Sequence, residues 1–249
     1  MQQLSTWDIW WWVILPYIAM VVFVVGHIWR WRYDQFGWTS RSTQLQERRM
    51  LKWGAPLFHY STFAAIGGHI IGILIPKSFT DWLGIPENLY QHFSGIAGSL
   101  AAIGVLVGGG VLLLRRTTVP RVRATTSAVD YFTLILLGII VLLGIYLTLF
   151  VQEFGPGYEY RETVGVWFRS LFALHPNVRV IAEAPFMYQL HATAAWAIFA
   201  VWPFSRLVHA WSFPLWYLWR PYVVVRSRVP THPKEPGTGG KWRKIGVRY

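Results

Sequence analysis

The sequence of 249 residues contains no cysteine. That absence excludes disulfides, cysteine nucleophiles and any iron–sulfur cluster held by this chain alone, so a metal bound here has nitrogen or oxygen ligands. Acidic residues are scarce, 11 against 23 Lys and Arg, and charged residues of both signs make up only 14% of the chain. A soluble fold of this size needs more charge than that on its surface. With 54% hydrophobic residues and 16 Trp, the composition is instead that of a membrane protein. The first twelve residues, MQQLSTWDIWWW, lack the basic region of a secretory signal and lead into a full apolar stretch, which predicts a retained helix.

Long apolar runs are what the sequence does have. A helix crossing a bilayer needs about 20 apolar residues, and five segments qualify: Ile9 to Ile28, Ala55 to Ile75, His92 to Leu114, Asp130 to Val151 and Phe186 to Val208. The fold class expected is therefore an all-α membrane protein with five transmembrane helices. Nineteen of the 23 basic residues fall in the first and third connecting segments and from Arg206 onward; Lys77, Arg161, Arg169 and Arg179 are the rest. The positive-inside rule then puts the N-terminus outside and the C-terminus in the cytoplasm, which accounts for the net charge of +12 without nucleic acid as a partner. Trp10, Trp11 and Trp12 at one edge, and Trp29, Trp31, Trp53, Trp211, Trp216 and Trp219 at the other, fit interfacial belts.

Residues 1–228 form the expected membrane domain, and 229–249 a basic, Pro- and Gly-rich cytoplasmic tail without a fold of its own. Within the long outer connection, Glu162 to Leu174 has helical apolar spacing and predicts a short amphipathic helix lying on the outer surface.

Two apolar segments carry two histidines each: His59 and His69 in the second, His191 and His209 beside the fifth. Ionisable groups at membrane depth normally face the bundle interior. Ten residues separate the first pair, about 15 Å of rise, and eighteen the second, about 27 Å on a straight helix. The two segments run in opposite directions, so His59 should be level with His209 and His69 with His191. The two depth estimates disagree, and a kink at Pro203 is the expected remedy. Imidazole is an axial ligand of haem iron, so the four are candidate ligands of two metal centres of that kind, with Gly67, Gly68 and Gly72 giving a flat macrocycle access to the backbone. Arg206, three residues before His209, and Arg115 and Arg116, at the end of the third span, are candidate partners of haem propionates. His27, His92, His175 and His232 have no such counterpart.

Four stretches resemble the gamma, or cytochrome b, subunit of respiratory nitrate reductase: RYDQFGWTSRSTQL from Arg32, LFHYSTFAAIGGHIIG from Leu57, GVLLLRRTTVPRVRATT from Gly110 and PFSRLVHAWSFPLWYL from Pro203. The resemblance implies a five-helix anchor with two bis-histidine b haems on His59, His69, His191 and His209. It implies a quinol substrate, and as partners an iron–sulfur (beta) and a molybdenum catalytic (alpha) subunit, both cytoplasmic, with nitrate reduced on the latter. One departure stands near Leu89, where some members carry a lysine linked to quinol binding. Quinol oxidation needs an acceptor for a hydroxyl proton beside an apolar slot. Lys77, Asp81, Glu87, Tyr90 and His92 are the titratable groups near the outer end, with Lys77 first and His92 second. The rival readings are an anchor for another cytoplasmic reductase and a haem-free transporter whose histidines relay protons.

Overall fold

A computed structural model describes residues 4–39, 42–212 and 219. The chain divides into two compact units, Met1–Ser212 and Phe213–Tyr249. The expected boundary after residue 228, the tail 229–249 and the belt residue Trp216 lie outside the described residues.

Among the described residues every regular element is helical. In chain order the helices are α1 (Thr6–Tyr33), α2 (Arg49–Leu74), α3 (Lys77–Trp82), α4 (Glu87–Thr118), α5 (Pro120–Ala124), α6 (Ala128–Glu153), α7 (Val164–Phe172), α8 (Val178–Ala182) and α9 (Phe186–Val201). Local sequence sets their limits. Reciprocal capping boxes start α1, between Ser5 and Asp8, and α6, between Ser127 and Asp130. At the end of α2, Ile75 is extended (φ −81°, ψ 118°) because it precedes Pro76, and Val119 before Pro120 ends α4 in the same way (φ −89°, ψ 109°).

By length and composition α1, α2, α4 and α6 can cross a membrane. Their outward faces are apolar and bare, as with Val21, Val25 and Ile28 on α1 and Phe132, Ile135 and Ile139 on α6. Lipid is the solvent such faces need. The expected fifth span does not continue to Val208 as one helix. Its α-helical part, α9, has 16 residues. A 3₁₀ turn at Trp202–Phe204 follows, then Ser205 in an extended conformation (φ −110°, ψ 179°) and a second 3₁₀ turn at Arg206–Ala210. Pro203 lacks the N–H that would continue the ladder, so the helix ends there.

The long helices form an arc of neighbours, α2 beside α4, α4 beside α6, α6 beside α9, and α9 beside α1. The α2–α4 seam is close because Gly104 and Gly108, four residues apart, carry no side chains; a Cβ on Gly108 would stand 2.5 Å from the Phe58 nitrogen. By contrast, α2 and α9 are not packed helix on helix.

The best-buried apolar cluster lies at the end opposite the basic connections. It joins Trp12, Leu147, Trp167, Leu171, Ile181, Tyr188 and Trp196. The segment expected to lie on the outer surface is therefore inside: α7 buries Trp167, 1% exposed, and Leu171, 0% exposed. A hydrogen bond explains the seat of Trp167. Its Nε1 donates to the Trp12 carbonyl at 2.9 Å, whose usual helical donor would be residue 16, and Pro16 has no N–H.

Candidate functional site

The histidine rings bridge the slot between α2 and the α9 segment. His59 and His69 stand on uninterrupted α-helix, so their levels differ by about 15 Å. His191 stands on α9 and His209 in the 3₁₀ turn beyond Pro203. The ring centres of His59 and His209 are 5.8 Å apart, and those of His69 and His191 6.0 Å, the latter pair 17° from parallel. The break at Pro203 removes the premise of the 27 Å estimate, because His209 does not continue the straight helix that carries His191.

Backbone carbonyls orient three of the four rings. His59 Nδ1 is 2.7 Å from Ala55 O, His69 Nδ1 2.7 Å from Ala65 O and His209 Nδ1 2.6 Å from Arg206 O. A carbonyl only accepts, so each Nδ1 donates and each neutral ring keeps its lone pair on Nε2. His191 is different: its Nδ1 is buried without a hydrogen bond, and its ring lies against Gly144, where a Cβ would stand 3.4 Å from Cε1. Two imidazole nitrogens on one metal atom, at about 2.0–2.1 Å each, put ring centres about 6 Å apart, which both pairs match. Among the described residues no group of three or more His, Asp or Glu gathers into a metal site. Each pair can thus supply two ligands to a metal that brings its remaining donors with it. Gly67 and Gly68, beside His69, face open space with nothing within 4 Å of an added Cβ, whereas Gly72 is taken up by the hydroxyls of Tyr160 and Tyr90.

At the basic end, Arg206 donates from Nε to Asp130 Oδ1 at 2.7 Å and from Nη2 to Thr125 O at 3.2 Å. Arg116 Nη1 stands 4.0 Å from Asp130 Oδ2. Asp130 is the carboxylate that caps α6, so one group fixes both the helix start and the arginine before His209. A cavity of about 350 Å³ opens beside it, lined by Arg30, Asp34, Asp130 and Arg206 among others. Arg115 is placed differently from its sequence neighbour. It is 2% exposed, and its guanidinium is held by Glu47 Oε2 at 2.7 Å, Glu47 O at 2.7 Å, Thr43 Oγ1 at 2.9 Å and Thr43 O at 2.8 Å. That set leaves it fastening the α1–α2 connection. Burial pushes the Glu47 carboxyl up, and hydrogen bonds from the Met50 amide and Arg115 outweigh this, so its pKa falls below the ordinary 4.5.

At the opposite end, Lys77 Nζ lies 3.7 Å from Asp81 and 3.9 Å from Glu87, while His92 is exposed on α4. The structure gathers more here than the sequence suggested. Arg161, 1% exposed, donates from Nη2 to Thr80 Oγ1 at 2.9 Å, stands 3.6 Å from Glu87 and lies 4.0 Å over the Tyr90 ring. The Tyr90 and Tyr160 hydroxyls are 3.3 Å apart. Arg169 Nη1 donates to Ile73 O at 2.6 Å and so grips the end of α2. Burial lowers the Arg169 pKa, and the neighbouring Arg161 charge lowers it further. Arg161 and Tyr160 sit in a Gly- and Pro-rich connection without helical periodicity, so only the incongruity of a basic residue on the poorly charged side singles out Arg161 in the sequence.

Apolar helices and two levels of facing imidazoles define the class: a multi-pass membrane protein with paired histidine sites. Sequence comparison narrows it. A family described as nitrate reductase gamma subunit matches residues 8–228. The chain is 44% identical over 230 residues to the nitrate reductase-like protein NarX of Mycobacterium tuberculosis, covering 91% of this chain but 35% of that relative's length. It is 41% identical over 217 residues to the nitrate reductase gamma chain of Bacillus subtilis, covering 87% of this chain and 97% of the relative. With the respiratory nitrate reductase 1 gamma chain of Escherichia coli the identity is 36% over 217 residues, covering 86% and 95%. The chain belongs to the nitrate reductase gamma subunit family.

Proposed function

We propose that this chain is the five-span, dihaem cytochrome b subunit of a respiratory nitrate reductase complex. In this reading it oxidises quinol near the outer face and delivers electrons to a cytoplasmic iron–sulfur subunit, with nitrate reduced on a molybdenum subunit. The observation that carries it is the pair of imidazole couples at 5.8 and 6.0 Å, set at two levels on the same two segments.

His59 with His209 and His69 with His191 would each hold one haem iron between two imidazoles, and the haem would supply one-electron chemistry at each level. The carbonyls of Ala55, Ala65 and Arg206 hold the imidazoles in the tautomer that presents Nε2. Open backbone at Gly67 and Gly68 leaves room beside the His69–His191 level. Arg206 and Arg116, at the His209 end, are placed to neutralise acidic substituents there, while Arg115 holds the connecting loop. At the other end Lys77 and His92 remain the candidates for the proton from the quinol hydroxyl; Lys77 reaches this role within its ion pairs to Asp81 and Glu87. The basic end faces the cytoplasm by the positive-inside rule and adjoins the electron-accepting partners. A histidine proton relay would need carboxylate partners, and the Nδ1 bonds of His59, His69 and His209 go to carbonyls instead.

A reduced-minus-oxidised absorption spectrum of the purified chain tests the reading: two b-type haems per chain are expected. Substituting His69 or His191 by Ala should remove one of them, and substituting His59 or His209 the other. A chain without a b-type spectrum, or His69 and His209 variants that lose the same haem, would overturn it.

A further inference from the structure

Tyr160 occupies a position that neither helix explains alone. Its hydroxyl and ring edge lie on the backbone of Gly72, where an added Cβ would stand 3.0 Å from the oxygen and 3.3 Å from Cε2. Gly72 is one turn beyond His69. The other side of the Tyr160 ring is stacked on Tyr188, with centres 6.3 Å apart and planes 17° from parallel. Tyr188 is one turn before His191, and both turns lie on the same side of the His69–His191 pair, away from the basic end. One aromatic ring therefore spans from α2 to α9 across the slot, just above that pair.

The neighbouring groups hold it there. Tyr90 meets the Tyr160 hydroxyl at 3.3 Å, and Arg161 lies against the Tyr90 ring at 4.0 Å. Tyr158 packs on Tyr188 at 4.9 Å, and Gln152 Nε2 donates to the Tyr188 hydroxyl at 2.7 Å and to Tyr158 O at 2.8 Å. The Gly165 amide donates to Tyr160 O at 2.8 Å, tying the loop to α7. Burial and the bond to Tyr90 push the Tyr160 hydroxyl pKa well up, so the residue stays a neutral phenol.

We infer that Tyr160 is the seal of the outer histidine level: it closes the mouth of the slot toward the aqueous side, so that this level exchanges electrons with a reductant arriving through lipid and not with charged solutes in water. The inference rests on the reading of these pairs as haem ligands and extends it to what may reach them. Excluding water from a redox site prevents side reactions of that kind. Tyr160 acts by position, through its ring.

The test uses the complete complex in right-side-out membrane vesicles, with the haems first reduced. Ferricyanide, an anion that does not cross the bilayer, is added outside, and haem reoxidation is followed by stopped-flow absorbance. Tyr160→Ala should accelerate reoxidation by about tenfold or more by opening the mouth, while Tyr160→Phe, which keeps the ring on Tyr188, should stay at the parental rate. Gly72→Leu reaches the same point from the other helix, since its side chain must displace Tyr160, and should reproduce the faster rate. Reduction by a short-chain quinol should change by less than about twofold in the Phe variant. Parental ferricyanide rates in both Tyr160→Ala and Gly72→Leu, with both haems present, would overturn the seal. So would a Tyr160→Phe variant as fast as Tyr160→Ala, or haem loss in all three variants, which would mark Tyr160 as a structural prop. A parental chain without haem would instead sink the reading on which the seal rests.

Discussion

Arg115 and Glu47 show how a single buried charge can be spent on shape. Four hydrogen bonds fasten the Arg115 guanidinium to Glu47 and Thr43, on a connection that also carries Phe36 and Leu45 fully in the open. Because the folded pKa of Glu47 is depressed, the stabilisation it gives is complete above the unfolded value of about 4.5 and is lost as pH falls through the folded value. Limited proteolysis of residues 34–48 should therefore be slow at pH 7 and accelerate as the pH falls below the ordinary 4.5 and through the depressed folded value, with Glu47→Gln already fast at pH 7. Equal cleavage of parent and variant at pH 7 would show that the pair does not hold the loop. The sequence named Arg115 and Arg116 together as equals; only the fold separates them, because two residues adjacent on a helix point about 100° apart. The four histidines were more legible. Their spacing and the opposite run of the two segments were enough to state which rings should meet, and these are the rings that do meet.

At the scale of elements, the proline positions decide what the apolar pattern leaves open. Pattern alone read Phe186 to Val208 as one span and Glu162 to Leu174 as a helix on the outer surface. The outcome turned on a carbonyl or an amide that periodicity does not record: the α-helical part of the fifth segment stops at Val201, and the helix in the outer connection packs its apolar face on protein. Pro203 ends the fifth helix early and lets His209 meet His59. Pro16 frees the Trp12 carbonyl for Trp167, and α7 enters the core around that bond. An amphipathic pattern shows that one face needs cover, but not whether lipid or protein provides it. Trp167→Phe should cost about 1–3 kcal/mol in unfolding of the detergent-solubilised protein, because the buried Trp12 carbonyl loses its donor. Adding Pro16→Ala to that variant supplies an N–H in the same helix and should recover part of the loss. If Pro16→Ala leaves the Trp167→Phe penalty unchanged, the carbonyl is not what seats α7.

For the whole molecule, one asymmetry organises the rest. Basic residues, the Arg115–Glu47 fastening and the His59–His209 level share one end; the tyrosine cluster, the buried α7 and the His69–His191 level share the other. On the function proposed above, the orientation of this axis in the membrane would determine whether quinol protons are released outside and whether electrons leave toward cytoplasmic partners. The lack of cysteine makes it directly measurable, since each introduced thiol is the only one in the chain. Leu45 is 102% exposed and Phe36 98% at the basic end, while Trp82 is 77% and Phe154 81% exposed at the other, so all four positions accept a reagent without disturbing packing. In right-side-out vesicles an impermeant maleimide should label Trp82→Cys and Phe154→Cys at once. Leu45→Cys and Phe36→Cys should react only after the membrane is opened, because the positive-inside rule holds their loop in the cytoplasm. The opposite pattern would turn the axis over: the tyrosine-sealed level would then face the cytoplasm, and quinol oxidation there would release its protons inside.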